Sequence, residues 1–185
     1  MLPSLSRALN LLLAAIGVTL LVALAAVVIA AVAFRYSGNS LIWYDEVASV
    51  LLAWISFFGA AYASLKRSHL GAATLLLMLP KVLRLAGFLL AEAIVLTVFA
   101  VVAYYGWKVL DIMAGDTLVA LRWVSLSFTQ SCIPVGAGLI MLAQITSAPQ
   151  AWSWLAAGIG QEEAEIESEI ARAREGWEKQ REGRP

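Results

Sequence analysis

The chain has 185 residues, 61% of them hydrophobic and 14% charged, with a mean hydropathy of +0.81. Soluble domains are about 45–50% apolar, so this excess points to lipid as the solvent. A formal net charge of zero offers no basic surface for a nucleic acid, and the single Cys132 excludes an internal disulfide.

Charges are unevenly placed. Eight of the thirteen acidic residues and five of the thirteen basic ones follow Gly160. Upstream of that point, long charge-free runs read as membrane-spanning helices, which need about 20 mostly apolar residues. The first run lies between Arg7 and Arg35 and predicts a span near residues 9–34. Ala31-Val32-Ala33 resembles a signal-peptidase site, but the apolar stretch far exceeds the about 7–15 residues of a signal peptide, so the helix is read as retained. The second span, 43–65, opens on Asp45 and Glu46, where acids suit the positive end of the helix dipole.

Residues 70–84 are too short and too basic at their end to cross a bilayer. They are expected to form a helix in the membrane interface, interrupted by Pro80. The third span is expected near 85–107, with Glu92 inside it, and Lys108 to Arg122 as a loop. A fourth span is expected near 123–145. Pro134 removes a backbone donor there and crowds the carbonyl of Gln130, which predicts a local kink. The fold class is therefore all-α and integral to the membrane: a four-helix domain over 1–157, then a charged tail, 158–185. In the tail, Glu162 to Glu169 precede Arg172, Arg174, Lys179 and Arg181, an order that favours a water-exposed helix.

Lys and Arg accumulate on the cytoplasmic side of a membrane. Lys66, Arg67, Lys81 and Arg84 lie between spans two and three, and five basic residues follow Gly160. Both termini are thus expected in the cytoplasm, with Arg35, Asp45, Glu46, Asp111 and Asp116 at the outer boundary. Trp43, Trp107, Trp123, Trp152 and Trp154 fall near span ends, at headgroup level.

In lipid, helices associate by close packing of small side chains rather than by hydrophobic exclusion. The second span carries such a stripe, Ser49, Ala53, Ser56, Ala60 and Ala63. Roughly opposite runs a bulky one, Val47, Leu51, Trp54, Phe58 and Tyr62. Trp54, Phe58 and Tyr62 either anchor in a partner or pack against lipid and this chain's own helices.

Catalytic chemistry needs convergent polar groups, and none are patterned here. His69 alone cannot supply bis-histidine haem ligation, no zinc-ligand spacing occurs, and no cofactor or enzymatic activity is expected. Glu92 is costly within a span and calls for a partner, a neutral form or a transport role. A membrane anchor of an oxidoreductase and a small homo-oligomeric channel lined by Glu92 are the alternatives considered. Neither inverted repeats nor paired broken helices mark a self-sufficient transporter.

From Arg35 to Pro80 the chain resembles the small membrane subunit (DctQ family) of tripartite ATP-independent periplasmic (TRAP) transporters. The residues that carry the likeness are Arg35-Tyr36, Trp43-Tyr44-Asp45-Glu46, Trp54, Phe58-Gly59-Ala60-Ala61 and Lys66-Arg67-Ser68-His69 with Pro80. Beyond Leu85 the likeness is mainly hydropathy, plus Ile133-Pro134-Val135-Gly136. Leu70-Gly71-Ala72-Ala73 lacks the acid common after the family's histidine.

The resemblance implies a non-catalytic scaffold in the bacterial inner membrane. Its partners would be a large DctM-type subunit that carries substrate and sodium, a periplasmic binding protein that delivers a carboxylate-type substrate, and membrane lipids. Arg35, Trp43, Asp45, Glu46, Trp54, Phe58, Tyr62 and His69 are the expected partner interface.

Overall fold

The computed structural model describes residues 2–66 and 77–158, together with Ile166, Ile170, Ala173, Arg174 and Trp177. Its named helices are α1 (Leu2–Tyr36), α2 (Tyr44–Leu65), α3 (Lys81–Ile112), α4 (Leu126–Gln130) and α5 (Cys132–Ala157). Among the described residues, four stretches are long and apolar enough to cross a membrane: Ala8–Tyr36, Tyr44–Leu65, Lys81–Ile112 and Leu126–Ala157. Lipid offers backbone groups no hydrogen-bond partners, so a chain this apolar satisfies them within helices. Hydroxyls in the spans obey the same demand. Thr19, Ser56 and Thr97 each donate to the carbonyl four residues back, at 2.7–2.8 Å.

α1 ends in a Schellman-type cap. Asn39 N–H donates to Phe34 O at 3.1 Å and Gly38 N–H to Arg35 O at 3.2 Å, with Gly38 at φ +81°. α2 starts one residue later than the expected span and stops where it was expected to.

The other helices outrun the expected spans. α3 begins at Lys81 and ends at Ile112, so Lys81 to Arg84 form its first turn and Lys108 to Ile112 its last. Pro80, whose carbonyl accepts from Arg84 N–H at 3.0 Å, stands at its start. The last span starts at Leu126, because Trp123 to Ser125 are committed to a loop, and its helix continues to Ala157. Charge-free runs mark the depth of hydrocarbon, whereas a helix continues into the headgroup layer until something ends it. Here that is Gly158, at φ +78°.

The expected disturbance near Pro134 is a one-residue interruption. α4 ends at Gln130, Ser131 forms a turn at φ −64° and ψ −15°, and α5 begins at Cys132. Residues 70–76 of the expected interfacial helix, His69, and most of the charged tail lie outside the described residues.

The chain divides into two compact units. The first takes in α1, α2, α3 from Ala93, the following loop, α4, and α5 as far as Ser147. Its core is Leu13 from α1, Phe58 and Ala61 from α2, and Ile140 from α5; Trp54, Phe57 and Tyr62 pack around it. Gly136 lets α5 approach α2 closely. A Cβ there would lie 2.5 Å from Phe57 Cβ. The second unit joins α3 up to Glu92 with α5 from Ala148. Phe88, Ala151 and Leu155 form its core, and Phe88 meets Trp152 with ring centroids 6.0 Å apart.

Candidate functional site

Within the first unit, α3 gives way to a folded loop before α4. Gly115, at φ +105°, turns the chain. Leu126 N–H then donates to Asp116 O at 2.9 Å, and Leu118 N–H to Val124 O at 3.1 Å. These bonds close a short hairpin-like loop, bridged at Thr117 and Ser125. Ser127 Oγ reaches back to Leu110 O at 3.1 Å, satisfying one of the carbonyls left over at the end of α3.

The tip of this loop is held by α2. Val119 N–H donates to Glu46 Oε1 at 3.0 Å, and Ala120 N–H is shared between Oε1 at 3.1 Å and Oε2 at 3.0 Å. Two successive amides thus converge on one carboxylate. Bonds to a charged acceptor contribute about 1.5–3 kcal/mol each, less where water competes. Trp43, which precedes α2, offers no side-chain cap. Asp45 and Glu46 both lie in the first turn and complement the helix dipole, but only Glu46 crosses to the loop, and Asp45 stays exposed.

The latched loop creates two grooves against α2. One, of about 410 Å³, is lined by Trp43, Val47, Leu51, Leu121, Trp123 and Phe128 among others. Its neighbour, of about 340 Å³, is polar at one side, where Asp45, Glu46, Ser49 and Gln130 meet.

The expected interface residues are used differently from one another. Arg35 is exposed in the last turn of α1. Phe58 packs inside this chain at 7% exposure rather than presenting itself to a neighbour. Trp54 stacks on Phe58, centroids 5.7 Å apart, and also meets Phe128 at 6.0 Å. Tyr62 borders the same core and lies under Lys66 Nζ, 5.6 Å from its ring centroid. Trp54, Phe58 and Tyr62 of the bulky stripe therefore turn toward the core, while Val47 and Leu51 wall the groove. On the opposite side Ser49, Ser56 and Gly59 are exposed, and a Cβ built on Gly59 meets nothing within 4 Å. Glu92 is buried at 9% exposure, on the α3 face that also carries Phe88, and it is engaged within the chain.

The sequence reading missed the partners of Glu46. They are backbone amides, which carry no residue signature. It also left Gly136 unexplained, although a glycine inside an apolar span is itself a sign of close approach.

The description "Tripartite ATP-independent periplasmic transporters, DctQ component" belongs to a family model that matches residues 24–153. No curated protein matches the chain. The match runs from the middle of α1 into α5, through the latched loop and the whole of α2. The chain belongs to the DctQ family and is a small, multi-pass membrane subunit of a TRAP transporter.

Proposed function

We propose that this subunit is a non-catalytic scaffold for a large DctM-type membrane protein, which performs sodium-coupled uptake of a carboxylate-type substrate delivered by a periplasmic binding protein. The observation that carries this reading is the sidedness of α2. Trp54, Phe57, Phe58 and Tyr62 pack into or against the chain's own core, while Ser49, Ser56 and Gly59 face outward. Small residues exposed to lipid let another helix's backbone come close, which is how membrane helices associate. The hydroxyls on this face are already satisfied, Ser49 by Asp45 O at 2.7 Å and Ser56 by Leu52 O at 2.8 Å. They add no desolvation cost to an interface.

The distribution of Lys and Arg supports cytoplasmic termini in the inner membrane. The Glu46 latch, Arg35 and Asp45 then face the periplasm, within reach of a binding protein. Trp54 and Tyr62 are half-buried at the edge of the core, on the other side of α2 from the small residues. A single cysteine at Asn39 in a Cys132→Ser background is expected to react with a membrane-impermeant thiol reagent in intact spheroplasts. Labelling only after lysis would reverse the orientation.

The functional test is uptake in cells lacking all three components. Restoration is expected only when this chain, the large subunit and the binding protein are supplied together. Uptake by this chain alone, or undiminished uptake without it, would refute the scaffold role.

A further inference from the structure

The groove of about 410 Å³ beside α2 is walled by Trp43, Val47, Leu51, Leu121, Trp123 and Phe128. We infer that it holds one acyl chain of a glycerophospholipid, whose phosphate pairs with Arg122.

Three observations choose this occupant over a protein helix. First, these walls are bulky. Close helix association in lipid needs Gly, Ala or Ser at the contact, and on α2 those residues lie on the other face. Second, the groove offers no hydrogen-bond group to a peptide. Thr129, which also lines it, donates its hydroxyl to Leu126 O at 2.8 Å. The nearby carboxylate of Glu46 is occupied by the loop amides. Third, the polar features at its rim fit a lipid headgroup. Trp43 and Trp123 are indoles of the kind that settle at the headgroup level, and Trp123 is 82% exposed. Arg122 lies between the lining residues Leu121 and Trp123 and is exposed. A guanidinium there suits a phosphate diester through paired N–H donors.

Bulk lipid tails are as apolar as the groove, so hydrophobic exclusion cannot hold one chain in preference to another. Retention comes from dispersion contacts in a concave wall together with the phosphate pairing. The Glu46 latch holds the loop residues that form half of that wall, which makes the site dependent on a residue that never touches the lipid.

The test is native mass spectrometry of the full-length chain, alone and with its large subunit, after exhaustive detergent washing and titration with dioleoyl-phosphatidylglycerol. Dioleoylglycerol, with identical tails and no phosphate, is the comparison. The wild-type chain is expected to retain one phospholipid and to bind dioleoylglycerol far more weakly. Arg122→Gln, a surface change that leaves folding intact, is expected to weaken phospholipid binding about tenfold or more. Leu51→Trp, which fills the groove, is expected to abolish it while helicity is preserved. Equal occupancy in wild type and Arg122→Gln, or equal binding of the two lipids, would overturn the inference. So would Leu51→Trp releasing the large subunit while the lipid stays bound.

Discussion

Gly59 and Gly136 stand in comparable apolar helices, yet their surroundings are opposite. Around Gly136 the helices touch so closely that Phe57 occupies the space a side chain would need. Around Gly59 nothing lies within 4 Å of that position. The first is where this chain holds itself together; the second is where it has left room. In a bilayer small residues are the means of association in both cases, and the proposed scaffold role would use the open position at Gly59.

This contrast is broken most strongly at Gly136. Gly136→Ala is expected to destabilise the chain by about 1–3 kcal/mol, the usual cost of overpacking, measured by unfolding in mixed micelles. Adding Phe57→Ala is expected to recover part of the loss.

Glu46→Ala removes the carboxylate that gathers the Val119 and Ala120 amides. A loss of about 1–2 kcal/mol is expected, with faster amide exchange confined to the loop between α3 and α4. Unchanged exchange there would separate the loop from Glu46. Gly38→Ala, forced to hold φ near +81°, is expected to cost about 1 kcal/mol. Gly59→Ala is expected to change the isolated chain's stability by less than about 0.5 kcal/mol; a loss as large as that at Gly136 would mean that its open face is filled within this chain.

Much of this was legible beforehand. α2 was delimited closely because acids open it and Lys66 follows it, and four spans followed from the spacing of charges. The spans were harder to end, since charge marks the membrane boundary and not the last helical bond. Lys81, Arg84 and Asp111 are all helical despite their charge. On α2 the two stripes were visible, but their assignment was not. Periodicity separates faces, and only packing against Leu13 and Ile140 shows that Trp54, Phe58 and Tyr62 turn inward. Asp45 and Glu46 looked equivalent in sequence, and the loop distinguishes them.

The central claim is that the small-residue face of α2 meets another membrane protein. A photo-crosslinking residue placed in turn at Ser56, Gly59 and Leu51 of the full transporter tests it directly. Adducts with the large membrane subunit are expected from Ser56 and Gly59 and not from Leu51. No adduct at either of the first two positions would contradict the account.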